Sequence, residues 1–277
     1  MGLRAFGYQL YACGRKGLPK QVSLDGRTYH LREVFKHDFF AATALYEKDR
    51  QQESEAQYPP KIVLKINRQE HFLGLPLAWL GDLLCRHQIS ILRHLSDVPG
   101  IPRFLSRYGR TGFTYEYIEG RCLDGQQDLS EDFFDELLGL LKEVHRHNIA
   151  YLDMNKHDNI IVGDDSKPHL IDFQISLYID KRALISRRLS GYLRESLQNA
   201  DIYHVFKHKR WLKPELLKPH EKALSHHSSS KLIKWHRLAG RPFRKLRRRF
   251  LGYLVSKGVL NEEECNGHNG ENSQTNN

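Results

Sequence analysis

The sequence predicts an α+β protein of two lobes, strands first and helices later. Three observations carry that expectation. The chain has 277 residues with 40% hydrophobic content, enough for one core or for two lobes sharing a cleft. β-branched and aromatic runs crowd the segment before residue 119. From residue 130 onward helical periodicity takes over, interrupted by a short hairpin.

Taken in order, residues 29–47 carry Tyr, Val, Phe and Thr in short runs and predict two strands joined by a loop. The polar stretch 48–60 is a loop before a third strand at 61–66, Lys-Ile-Val-Leu-Lys-Ile. Residues 77–95 predict a helix, with Leu80, Leu84, Ile91 and Leu95 apolar among charges. Residues 113–118 predict another strand. Ser130 is expected to cap a helix, with Glu131 and Asp132 at the positive end of its dipole. Phe133, Phe134, Leu137, Leu138, Leu141 and Val144 then follow at helical spacing. Two short strands, 160–162 and 169–171, flank the turn Gly163-Asp164-Asp165-Ser166-Lys167-Pro168. Everything later is expected to be helical or irregular.

Charge is unevenly spread. Residues 1–180 hold 22 basic and 25 acidic side chains, whereas residues 181–257 hold 21 basic and 4 acidic. Such a break suits an anionic partner or a solvated helical face. Residues 231–257 carry ten bases and no acid, with Phe243, Leu246, Phe250, Leu251 and Leu254 recurring on one helical face. That face is expected to pack on the protein, and the bases to meet an anionic membrane surface. Nucleic acid is the weaker expectation: the aromatic and basic residues of 203–214 suit a buried stripe with a charged outer face better than a stacking platform. Cys13, Cys85, Cys122 and Cys265 have neither metal nor redox spacing and are expected to be reduced thiols. No apolar run approaches a membrane span, and Phe6 stands where a myristoylation signal needs Ser or Thr. A cytoplasmic protein, peripheral at the inner face of a membrane, is the expectation.

The chemistry-bearing signal lies in residues 145–173. A helix ends at His145-Arg146-His147-Asn148; then come Tyr151-Leu152-Asp153, Asn155, Lys156, Asn159, the hairpin, and Ile171-Asp172-Phe173. One Asp-x-Asn spacing alone would be read as turn hydrogen bonding. The full order of helix, Asp loop, Asn, hairpin and Asp-Phe is far more specific.

This order resembles the protein-kinase-like superfamily, in which a catalytic Asp and a metal-binding Asn precede an Asp-Phe-Gly. The resemblance covers about residues 29–215 and implies a bilobal kinase-like fold. It implies Asp153 as the catalytic carboxylate, and Asn159 and Asp172 as magnesium ligands. Lys156, with Asn155, would do the work of the catalytic-loop lysine. Lys65 resembles the strand lysine that contacts the α- and β-phosphates of ATP. Glu116, Tyr117 and Ile118 resemble the hinge that receives adenine. A single domain is thus expected over 21–258, with an N-terminal extension over 1–20. Its first lobe runs to about 115, its hinge over 116–121 and its second lobe over 122–258, with an acidic polar tail at 259–277. The second lobe is short and has no Ala-Pro-Glu motif, so the chain looks most like the compact types: RIO kinases and the bacterial kinases of the lipopolysaccharide core (Kdo kinases). The acceptor stays open between a protein Ser/Thr and a glycan or glycolipid hydroxyl, and a pseudokinase is the alternative.

Several positions depart from the family pattern. Tyr151 and Leu152 replace its His and Arg, Asn159 comes six rather than five residues after Asp153, and Gln174 replaces the Gly after Asp-Phe. No glycine-rich loop is visible; its place is taken by residues 35–43, with Ala41 and Ala42 where close backbone approach would be wanted. Gln88 stands where the helix Glu that partners Lys65 is expected, with Asp82 and Glu70 as alternatives.

Overall fold

The computed structural model describes residues 7–48, 59–125, 128–179 and 187–226. Most of the loop expected at 48–60, the basic segment 231–257 and the tail 259–277 lie outside the described residues. The architecture is α+β and bilobal. The first lobe is a six-stranded antiparallel sheet of β1 (Gln21–Leu24), β2 (Arg27–His37), β3 (Ala41–Lys48), β4 (Lys61–Asn67), β5 (Phe104–Tyr108) and β6 (Gly112–Glu116), ordered β1-β2-β3-β4-β6-β5. Helix α1 (Ala78–His94) lies against β4, β5 and β6.

Strand periodicity of two explains how this sheet divides its side chains. Ala42, Ala44 and Tyr46 stand opposite Ile66, Leu64 and Ile62. All six are buried, with Val22, Leu24 and Tyr29, in the first core. The alternate residues Thr43 and Leu45 stand opposite Lys65 and Val63 on the other face, which roofs the cleft. Residues 7–20 pack onto this lobe: Ala12 and Cys13 are buried, and the Ala12 amide donates to Asp38 O at 2.8 Å.

The second lobe is mostly helical. β7 (Gly120–Cys122), α2 (Phe133–Arg146), β8 (Ile149–Ala150), β9 (Ile160–Gly163), β10 (Pro168–Leu170), β11 (Leu177–Tyr178), α3 (Arg187–Leu212) and α4 (Pro219–His226) follow in turn. β7, β9 and β10 form a three-stranded sheet, and β8 pairs with β11. The α2 stripe of Phe133, Phe134, Leu137, Leu141 and Val144 is buried with Tyr151, Met154 and Phe173, and with Leu92 and Leu95 of the α1 region. That core therefore ties the two lobes together. Full burial of each such side chain stabilises the fold by about 1.5–3 kcal/mol.

Two expectations are corrected. Helix α2 begins at Phe133, with Asp132 at its N-cap and no side-chain cap bond. Ser130 contributes its carbonyl instead, which accepts the Phe133 amide at 3.2 Å in the turn before the helix. And the region after the hairpin is not wholly helical or irregular, since Leu177–Tyr178 pairs antiparallel with Ile149–Ala150. Among the described residues, no helix is long and apolar enough to cross a membrane.

Candidate active site

Strand β8 ends at Ala150, and the next three residues turn sharply into the cleft. Leu152 takes φ +67°, a left-handed conformation that a Leu rarely adopts. The turn is held from below. The Asp201 carboxylate, on α3 and essentially inaccessible, accepts the Tyr151 and Leu152 amides at 2.8 Å each. His145 Nε2 lies 3.1 Å from the same carboxylate. This support fixes where Asp153 emerges.

Asp153 is buried, and its Oδ2 accepts Lys156 Nζ at 2.6 Å and Asn159 Nδ2 at 2.8 Å. The loop between Asp153 and Asn159 ends in a 3₁₀ turn over His157–Asn159, and Asn159 returns to Asp153. Burial works against the Lys156 ammonium, but the adjacent Asp153 carboxylate outweighs it and raises the Lys156 pKa. Asn155 points elsewhere: it is exposed and accepts Lys207 Nζ at 2.8 Å.

Across the hairpin, the Ile171 amide donates to Asn159 O at 3.0 Å, which brings Asp172 to the same end of the cleft. Asp172 has φ +57°, a second left-handed non-glycine residue beside the site. Its Oδ1 accepts Lys65 Nζ at 2.7 Å, joining roof and floor through a nearly inaccessible ammonium. Burial pushes the Asp172 carboxyl up, but Lys65, then Lys156 and Lys36, more than offset this and leave it below the ordinary carboxylate value. It is therefore ionised at neutral pH.

Tyr151 links the parts. Its phenol donates to Ile171 O, its ring meets Phe173 edge-on at 5.0 Å, and its carbonyl accepts Ser176 Oγ at 3.0 Å. Burial, then the charges of Asp153 and Asp172, hold its pKa far above the usual phenol value, so it remains a donor.

The expected helix partner of Lys65 is not engaged. Gln88 lines the same recess as Lys65 and Asp172, but its Nε2 donates to Asn67 Oδ1 at 3.2 Å. Asp82 is taken by Arg86, Arg107 and Arg110, and Glu70 lies against Gly14. Lys65 instead pairs with Asp172. At the hinge, the Glu116 amide donates to Arg103 O at 3.0 Å and the Tyr117 amide to Lys61 O at 3.5 Å. Among the described residues, the Ile118 amide has no backbone acceptor.

Sequence reasoning thus names the residues that converge, Lys65, Asp153, Lys156, Asn159 and Asp172, and misses Asp201. The sequence offers no clear signal for Asp201, an acid on a helix face whose residues Val205, His208 and Lys209 are also buried.

No family model matches the chain. It is similar to a protein of Encephalitozoon cuniculi (strain GB-M1) described as "Probable serine/threonine-protein kinase KIN1 homolog", with 25% identity over 105 residues. The match covers 35% of this chain and 18% of that protein. This distant likeness and the bilobal α+β architecture point the same way, to a kinase-like arrangement.

Proposed function

We propose that the chain is a magnesium-dependent kinase that transfers the γ-phosphate of ATP to a hydroxyl group of a protein side chain or a sugar. The observation that carries this reading is the convergence of Asp153, Lys156 and Asn159 with the Lys65–Asp172 pair across one cleft. Leu45 and Val63, opposed on the cleft face, suit an apolar adenine, and the Ile118 amide, without a backbone acceptor among the described residues, is the donor this reading assigns to the ring. Lys65 offers its ammonium to the phosphates. Asn159 and the ionised Asp172 supply the hard oxygens that suit magnesium, and the Asn159 amide nitrogen is already turned to Asp153. Magnesium, when bound, neutralises phosphate charge and orients the transferring group.

Asp153 accepts a hydrogen bond from the acceptor hydroxyl and aims its oxygen at the γ-phosphorus. The new P–O bond forms as the bond to the ADP oxygen breaks, and the hydroxyl proton passes to Asp153. Lys156 stabilises the charge that develops beside it. Within this reading the motif order fits the compact RIO-like or Kdo-kinase-like types, with the acceptor on a protein or a glycolipid.

A second reading, a nucleotide-binding module without transfer, has one specific observation in its favour. Lys65 already occupies an Asp172 oxygen, and Gln88 supplies no carboxylate to draw it away. Thermal shift with ATP, with and without magnesium, followed by transfer of labelled γ-phosphate, separates the two. Magnesium-dependent stabilisation with transfer supports the kinase. Stabilisation without transfer to any hydroxyl favours the second reading, and no stabilisation contradicts both.

A further inference from the structure

In the roof of the cleft, Lys36 stands opposite Thr43, and Thr43 stands opposite Lys65. Directly opposed residues of antiparallel strands share a face. Lys36, Thr43 and Lys65 therefore form one row across β2, β3 and β4, on the face where Lys65 meets Asp172. A bulge creates this row. The register shifts between Val34 and Lys36, leaving Phe35 as the extra residue. Without it, Phe35 rather than Lys36 would stand opposite Thr43.

The turn beyond Lys36 is closed on itself. The Phe40 and Ala41 amides donate to Asp38 Oδ1 at 2.7 and 3.0 Å, and the Asp38 amide donates to Ala41 O at 2.9 Å. The carbonyls are held as well: Phe39 O accepts Arg68 Nη1 at 2.8 Å, and Phe40 O accepts the Arg68 amide at 2.9 Å. A phosphate arriving under this hairpin thus finds these three tip amides already committed, where a glycine-rich loop would present them. What the hairpin does present is Lys36, whose Nζ sits 2.9 Å from Asp38 Oδ2 with the side chain 41% exposed. Lys36 thus stands two strands across from Lys65 on the face that roofs the cleft.

We propose that Lys36 is a nucleotide-phosphate ligand, taking the terminal phosphates of ATP from above with a side-chain ammonium in place of loop amides. The inference rests on the kinase reading and extends it to a residue outside the family's motifs. An ammonium has three donors, so Lys36 can keep its Asp38 bond, which aims it, and still donate to phosphate oxygens. Asp38 is a positioning residue: one of its oxygens shapes the turn and the other steers the lysine.

Calorimetric titration with ATP and with adenosine, on wild type, Lys36→Ala and Lys36→Arg, tests this. Lys36 is half-exposed, so the variants are expected to melt with the wild type. Lys36→Ala is expected to weaken ATP roughly ten- to a hundredfold, the range of a lost charge-assisted bond, and to leave adenosine within about twofold. Lys36→Arg is expected to recover most of the ATP affinity. Undiminished ATP binding by Lys36→Ala, or equal loss of ATP and adenosine, overturns the inference while leaving the kinase reading standing. Failure of the wild type to bind either ligand overturns the kinase reading itself.

Discussion

In the floor of the cleft, the amides of Tyr151 and Leu152 are held by the carboxylate of Asp201, 50 and 49 residues further along the chain. In the roof, the amides of Phe40 and Ala41 are held by Asp38, two and three residues back. Each turn sets the position of a polar side chain, Asp153 in the floor and Lys36 in the roof. The floor depends on helix α3 being docked, and so on the second core; the roof closes through its own sequence and is pinned from outside by Arg68. A change to the floor's support should therefore reach stability and chemistry together, whereas a change in the roof should act locally.

Asp201→Ala is the largest test of that difference. It strands one buried and one half-buried amide, and is expected to destabilise the protein by about 3 kcal/mol and to reduce transfer in the molecules that remain folded. Chemical denaturation alongside turnover reads both; a variant as stable as wild type would show that the floor does not need its distant support.

The floor also carries a buried titratable group. His208 donates to Met154 O at 2.7 Å, and burial lowers its pKa to about 3, only partly offset by that hydrogen bond. With the native value lowered, the unfolded chain takes up a proton below pH ~6.5 that the native protein refuses. Stability from this group is thus complete above pH ~6.5 and declines by up to about 1.4 kcal/mol per pH unit as the pH falls toward the native value. His208→Gln, which can still donate to the Met154 carbonyl, is expected to flatten the pH dependence between 6.5 and 5. An unchanged slope would place the acid sensitivity elsewhere.

In the roof, Asp38→Ala is expected to cost about 1–2 kcal/mol, the scale of a lost turn cap, and to leave the Asp153 loop untouched. Hydrogen exchange separates the cases, with protection falling over 36–42 and holding over 151–159. Asn155→Ala is the smallest effect, within about 0.5 kcal/mol, because the exposed Asn155 bonds Lys207 rather than Asp153. A large loss of turnover in that variant would return Asn155 to the catalytic group.

How much of this could be read from the chain follows the same division. The strands of 29–47 and 61–66, the helix of 77–95 and the hairpin after Asn159 are visible because period and turn chemistry are local. Asp153, Asn159 and Asp172 are visible because their order brackets that hairpin. Asp201 is not, since an acid within a helix says nothing about which distant amides it meets. The bulge at Phe35 is equally hidden: it is a fact of register, and it decides that Lys36 faces the cleft. Gln88 shows the limit of positional analogy, for it reaches the Lys65 recess but spends its amide on Asn67. Ser130 shows the limit of cap signals, since the chain turns once more before the helix starts at Phe133.

The most direct measurement compares wild type with Asp153→Asn for transfer of labelled γ-phosphate under single-turnover conditions with magnesium, with ATP affinity measured in parallel. Asp153→Asn is expected to transfer about 10²- to 10⁴-fold more slowly while binding ATP within about threefold of wild type. Transfer by Asp153→Asn at the wild-type rate would contradict the assignment of Asp153 as the residue that orients the acceptor hydroxyl.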